Sequence, residues 1–436
     1  MALLYHSKKT VTKTESLVIT VQDLDYQGLG VAKINRKTWF VENALPNEKV
    51  KAVILDEKRQ YGLARAVKIL QKSSDRVEPQ CQFYQQCGGC QTLHIAINLQ
   101  RQAKQKALFS RLAKLQVKPI EFMPMIIDDD VHYRRKVRLS IQYHNRKLNI
   151  GFRQKNSKTV IPINYCVVLE EQLNHILPKL TTLFSNWSTP KTLGHIELVK
   201  ADNGVAMLLR HLGKLTEINR TLLLDLAKSE NLTLFVQDDD NIQHLYGSLP
   251  YYQLKKDLRL QFDIRDFIQI NDALNQRMVE TAINWLELKN TDNVLDLFCG
   301  MGNFTLPISQ LVKNTVGIEG VFAMVEKATN NALLNHCNNV RFYRADLDQP
   351  FTSQAWATQH FNKVLLDPPR NGAAFALNAL CSLNPEKVLY ISCNPATLVR
   401  DAEILLKFGY HLSKVAMIDM FPHTAHLESI SLFEKE

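Results

Sequence analysis

Hydrophobic and polar positions along the 436 residues fall into three regimes. Over 12–72, β-branched residues alternate or cluster in "ESLVITVQDLD", "GLGVAKIN", "KTWFVENALP", "EKVKAVILDEKRQ" and "YGLARAVKIL". Gly28, Gly30, Pro46, Asn47 and the polar stretch Asp56–Gln60 separate these runs. Five short strands at that spacing predict a small OB-like barrel over 12–73. Next, "NLQRQAKQKALFSRLAKLQ" (98–116) repeats apolar residues at helical spacing and carries a basic face. Strand-like patterning returns over 131–265 in "VRLSIQYH", "LNIGFRQ", "HIELVKA", "GVAMLLRHL" and "LTLFVQD", interrupted by the helix-like "LEEQLNHILPKLTTLFSNW". That mixture predicts an α+β central domain. From about 266, helical "DALNQRMVETAINWLEL" and "AMVEKATNNALLNHC" alternate with strand-like "NVLDLF", "NTVGIE", "VRFYRAD", "KVLLD" and "KVLYIS". Strands alternating with helices predict a parallel, doubly wound α/β sheet of Rossmann type. The chain therefore reads as multidomain, which its length requires.

Charge and cysteine content narrow the class. Lys and Arg number 53 against 43 Asp and Glu, a formal +10 that suits a polyanionic partner without requiring one. Eight cysteines are far too few for a disulfide scaffold of this length. The opening "MALLYHSKKTVTK" has too short an apolar stretch for a signal peptide, and no run approaches a membrane span. A cytoplasmic protein with reduced thiols is expected, with no membrane association.

Four stretches carry candidate chemistry. In "CQFYQQCGGC" (81–90), Cys81, Cys87 and Cys90 include a Cys-x-x-Cys pair at metal-ligand spacing, but three thiolates need a further ligand. In "NVLDLFCGMGNFTL" (293–306) a buried strand runs into a turn with Gly300 and Gly302, then a helix, letting backbone approach a nucleotide-type ligand. Glu319 closes the following strand, where an acid accepts hydrogen bonds from ribose hydroxyls. Asn303, Phe304 and Thr305 follow Gly302, so the third glycine of the nicotinamide fingerprint is missing. This disfavours NAD and favours S-adenosylmethionine, which has a ribose but no pyrophosphate. In "KVLLDPPRNG" a strand ends at Asp367 and breaks on Pro368–Pro369, at the carboxyl edge of the sheet. In "LYISCNPATLVRD", Cys393 follows a strand onto that same edge, and the Asn394–Pro395 turn argues for an exposed, usable thiol. Cys299, Cys337 and Cys381 read as inert buried hydrophobes. Between 132 and 158 nine Lys and Arg are interleaved with Tyr133, Tyr143 and Phe152. That pattern fits a phosphate-tracking groove and a solvated strand face equally well.

Together, "FIQIN" (Phe267–Asn271), "DLFCGMGNFTLP", "DPPRNGA", "SCNPATLVRD" and "MFPHTAHLES" resemble the RNA uracil-C5 methyltransferases over nearly the whole chain. The resemblance implies a TRAM barrel over 12–73 and an iron–sulfur central domain over 74–92 plus 125–265. It also implies a class I methyltransferase domain over 93–124 plus 266–436. It implies Cys393 as the nucleophile that adds to uracil C6 and Glu428, in "HTAHLES", as the proton acceptor. Gln269, Phe298, Asn303, Glu319, Asp346 and Asp367 would bind the methyl donor S-adenosyl-L-methionine. Cys81, Cys87, Cys90 and Cys166 would hold a [4Fe–4S] cluster; on ligand count alone four thiolates also fit Zn²⁺. Barrel plus cluster is similar to the 23S ribosomal RNA branch, implying one specific uridine of that RNA as substrate; a monomer is expected, and no protein partner is implied. The same chemistry on another ribosomal or transfer RNA uridine is the alternative. Two departures stand out: Asp-Pro-Pro-Arg-Asn replaces the Asp-Pro-Ala-Arg-Ala frequent in relatives, and Arg344–Asp346 lies in a variable loop. A cytosine-C5 enzyme would carry a cysteine beside the proline motif, and Asp367–Pro369 has none.

Overall fold

The computed structural model describes residues 16–435, apart from 240 and 256. The first four positions of the predicted barrel and the "MALLYHSKKTVTK" stretch lie outside the described residues. The chain forms two compact units: Met1–Pro79 with Gln91–Ala107 and His423–Ala425, and Gln80–Cys90 with Leu108–Pro422 and His426–Glu436. Among the described residues the first holds six strands, not five. Their order is Ser16–Thr20, Lys49–Glu57, Tyr61–Gln71, Lys37–Glu42, Gly30–Ile34 and the two-residue Asp23–Leu24. Alternating burial along them places Ile19, Ala32, Trp39, Val41, Val50, Ala52 and Ala64 in one core.

The second unit contains two large sheets. One is seven-stranded, in the order Val160–Pro162, Lys147–Arg153, Lys136–His144, Leu193–Ala201, Gly204–His211, Thr233–Asp238 and Asn241–Tyr246. Apolar positions of the helix Glu171–Ser185 pack with its strands into a common core. A second helix, Glu217–Ser229, also joins that core through Leu223 and Ala227, and the strand-like reading of 131–265 leaves it out. Its start was available in the sequence: Thr216 caps it, the side chain accepting from Asn219 N.

The eight-stranded sheet runs Val340–Arg344, Asn314–Glu319, Asn293–Leu297, Lys363–Leu366, Lys387–Ser392, Glu428–Lys435, Tyr410–Ile418 and Glu121–Phe122. The first five of these strands are mutually parallel, as the alternating pattern predicts. Glu428–Lys435 then inserts antiparallel between Lys387–Ser392 and Tyr410–Ile418. Strand order reverses direction on either side of Asn293–Leu297, which opens a switch-point crevice at the strands' carboxyl ends. Helices Asp272–Leu286, Phe322–Leu334, Ala374–Ser382 and Pro395–Lys407 accompany the sheet. The predicted helix after Gly302 shortens to Thr305–Ser309. Among the described residues no helix is long and apolar enough to cross a membrane.

Candidate active site

The sheet register explains how residues far apart in sequence come to share one edge. Asp367 directly follows Lys363–Leu366, and Cys393 directly follows the neighbouring Lys387–Ser392. Because Glu428–Lys435 runs antiparallel, its first residue lies at the same end, with Ser429 opposite Ser392. Asp367, Cys393 and Glu428 thus stand at the tips of three consecutive strands.

Their electrostatics agree with that placement. Burial pushes the Glu428 carboxyl well above the usual carboxylate range; the Asp367 charge adds to this and Arg370 opposes it. Burial raises Asp367 to about 7. The Cys393 thiol is pushed up to about 11, first by burial, then by Glu428 and Asp367, with Arg370 pulling the other way. The thiol expected to be exposed is in fact only partly so. Two acids crowd it, and Arg370, a residue to which the sequence reading gives no role, supplies opposing positive charge. Arg370 also meets His426, Nη2 to Nδ1 at 3.1 Å.

Toward the other side of the crevice lies the glycine turn. Phe298 adopts φ 64, a left-handed conformation that costs a bulky side chain strain and marks a constrained loop. Gly302 has φ 99, and a Cβ there would stand 3.0 Å from Leu306 Cγ, so the turn needs glycine. Glu319 is held by the loop itself: Gly300 N donates to Oε2 at 3.1 Å and Val321 N to Oε1 at 3.0 Å. Each oxygen keeps a lone pair for a further donor. Asp296, fully buried in the strand before the turn, accepts from Thr305 Oγ1 at 2.5 Å, and burial raises it to about 8. Its Oδ1 has no hydrogen-bond partner among the described residues. The sequence signal for Asp296 was plain, a lone acid inside an apolar strand.

Other predicted pocket residues are anchored rather than free. The Asn303 amide exchanges hydrogen bonds with Asn275 at 2.9 and 3.1 Å and accepts from Tyr252 Oη at 2.9 Å. Gln269 gives its carbonyl to Arg135 Nε at 2.7 Å, while Arg135 Nη1 reaches Asp272 at 2.6 Å. Arg135, 1% exposed, lies over the Tyr252 ring at 4.7 Å and so joins the "FIQIN" segment to Asn303. Asp346 is exposed in a turn, where it accepts from Asp348 N at 3.0 Å.

The cysteines of "CQFYQQCGGC" lie near enough to Cys166 to feel its charge. All four are free and half-buried. Cys90 is pushed up to about 12, first by burial and then by the charges of Cys166, Cys87 and Cys81. Asn174 fixes the Cys166 backbone, accepting from its N at 2.9 Å and donating to its O at 3.1 Å. Among the described residues no three of His, Cys, Asp or Glu are gathered as a single metal ion requires.

With this geometry in place, the family can be decided by comparison. The sequence model described as tRNA (Uracil-5-)-methyltransferase matches residues 96–436, and that of the TRAM domain matches residues 11–67. The chain belongs to the uracil-5-methyltransferase family. It is 62% identical to the Haemophilus parainfluenzae protein "23S rRNA (uracil(1939)-C(5))-methyltransferase RlmD" and 64% to the Histophilus somni protein of that name. Both alignments cover 100% of each chain. In fold it is similar to the Pyrococcus abyssi tRNA (uracil-54, C5)-methyltransferase, solved in complex with S-adenosyl-L-homocysteine. That likeness has a TM-score of 0.75 at 20% identity and covers 95% of this chain and 99% of that one.

Proposed function

We propose that this protein transfers a methyl group from S-adenosyl-L-methionine to C5 of one uridine of 23S ribosomal RNA, the counterpart of position 1939 named for its full-length relatives. The observation that carries the chemistry is the register that sets Glu428 beside Cys393 and Asp367 on the edge bearing the glycine turn. Uracil C5 is a poor nucleophile. Addition of the Cys393 thiolate to C6 forms the S–C6 bond and moves the C5–C6 π electrons into an enolate, which makes C5 nucleophilic. When bound, S-adenosyl-L-methionine supplies the electrophilic methyl group of its sulfonium. Glu428 then takes the C5 proton; the electron pair rebuilds the double bond and expels the thiolate. A carboxyl raised by burial is the better base near neutrality. A paired base cannot reach this edge, so the uridine must be unpaired or flipped out.

Glu319, Phe298, Asn303, Gln269 and Asp367 line the donor side in this reading, and Glu319 has lone pairs left for ribose hydroxyls. Asp346, exposed in its turn, would add to that side. Cys81, Cys87, Cys90 and Cys166 would hold a [4Fe–4S] cluster. The donor set, four thiols near enough to feel one another's charge, fits such a cluster. Through it these four residues would tie 81–90 to the segment around Cys166, and they would supply no step of methyl transfer. The three-part division at 12–73, 74–92 plus 125–265, and 93–124 plus 266–436 is supported by sheet membership, since the seven-stranded sheet falls wholly within 125–265. A ribosomal substrate places the work in the cytoplasm.

Labelled donor incubated with unmodified 23S RNA and with unmodified transfer RNA tests the assignment. Label should map to the single proposed uridine and vanish with Cys393→Ala. Label on transfer RNA, or on another ribosomal uridine, would move the substrate while keeping the chemistry.

A further inference from the structure

Arg370 opposes two acids at the thiol, yet it lies in the seven-residue connection 367–373, between the strand Lys363–Leu366 and the helix Ala374–Ser382, and that connection has to be held from outside. The holding is done by the helix that follows Cys393. Asn394, which caps Pro395–Lys407, donates from Nδ2 to Arg370 O at 3.1 Å, and Thr397 Oγ1 donates to the same oxygen at 3.4 Å. Arg400 Nη2 donates to Asn371 O at 2.8 Å. Asp401, fully buried, receives four donors: Ala373 N at 2.7 Å and Tyr390 Oη at 2.6 Å on Oδ2, with Arg400 Nε at 2.8 Å and Nη2 at 2.6 Å on Oδ1. Tyr390 belongs to the strand that ends in Cys393. Gly372 has φ +75, and a Cβ there would lie 2.5 Å from both Arg400 Nη2 and Asp401 Oδ2, so the turn presses directly on this carboxylate.

We infer that Asp401 is a positioning residue for the methyl transfer: it locks the Arg370 turn to the strand and helix that flank Cys393, so that the guanidinium stays beside the reacting thiol. This rests on Cys393 being the nucleophile. The groups facing the thiol are Glu428, Asp367 and Arg370, with His426 beside Arg370. A merely electrostatic role for Asp401 predicts the opposite sign. Removing its negative charge would by itself make the thiol's surroundings more positive, whereas releasing Arg370 makes them less so.

The test uses the full-length protein and two alkylating reagents, anionic iodoacetate and neutral iodoacetamide, with modification of the Cys393 peptide followed by mass spectrometry. The ratio of the two rates reports local positive charge and is independent of how much thiolate is present. Arg370→Gln should lower the ratio about threefold, the effect of one charge acting through partly screened space. Asp401→Asn should lower it in the same direction, and adding Asp401→Asn to Arg370→Gln should change nothing more. Tyr390→Phe should give a smaller fall and serves if Asp401→Asn does not fold. An unchanged or increased ratio in a folded Asp401→Asn or Tyr390→Phe protein would overturn the positioning role. Adduct formation between wild-type Cys393 and 5-fluorouridine RNA separates the two failures. If it forms and the ratio does not move, only the positioning role is lost; if it does not form, the nucleophile assignment fails as well.

Discussion

Asp367→Asn should make the unliganded protein more stable while destroying its activity. Burial raises this carboxyl from the ordinary 3.8 to about 7. Between those values the folded state keeps a proton that the unfolded chain has released, so stability falls as pH rises from about 4 through 7. Each pH unit in that window is worth about 1.4 kcal/mol. Slightly more than three units set a ceiling of about 4 kcal/mol at pH 8. Asparagine keeps the shape of the side chain and cannot ionise, so it removes this cost. Unfolding midpoints of wild type and Asp367→Asn, measured from pH 4 to pH 8.5, should coincide at the acid end. They should diverge upward for the variant by about 2–4 kcal/mol at the alkaline end. A variant less stable than wild type at pH 8, or a difference that does not vary with pH, would refute the reasoning. Methyl transfer by the variant should fall to background in the same preparations, a stability cost carried for function.

Lys363, paired at 2.6 Å with Asp292 with both side chains 4% exposed, also holds Glu287 O at 2.7 Å. Lys363→Met leaves a buried acid uncompensated and should cost about 3–5 kcal/mol, read as faster amide exchange in Asn293–Leu297; adding Asp292→Asn should recover part of it. Tyr252→Phe removes one of the bonds that orient Asn303 and should weaken S-adenosyl-L-homocysteine binding about fivefold by calorimetry, the worth of about 1 kcal/mol. Anaerobically purified protein should contain about four irons and be brown, and Cys166→Ala should lose both; stoichiometric zinc without colour would overturn the cluster. Glu428→Gln should still form the covalent adduct on unmodified RNA and accumulate it, because the C5 proton can no longer be removed.

Much of the edge was legible because local rules wrote it. Apolar period, glycine turns and proline breaks locate Glu319, Asp367 and Cys393 without any tertiary information. Glu428 was not legible that way: its partnership with Cys393 depends on Glu428–Lys435 inserting antiparallel between two other strands, a long-range register with no local signature. Arg370 and Asp401 sit inside the motifs, yet local pattern gives them no role, since a positive charge next to a thiol and a buried acid at a turn are properties of packing. The thiol's partial burial follows from the same packing, which is why the Asn394–Pro395 turn suggested more exposure than exists. The helix Glu217–Ser229 was missed for a different reason. Its leucines adjoin the apolar strand Thr233–Asp238, and the two periods blur into one strand-like stretch.

The central claim, covalent catalysis by Cys393 with Glu428 as base, is most directly tested with 5-fluorouridine at the target position. Fluorine leaves no C5 proton to remove, so the enzyme, labelled donor and this RNA should yield a methylated protein–RNA adduct that survives denaturation and maps to Cys393. No adduct, under conditions in which the native RNA is methylated, would contradict the account.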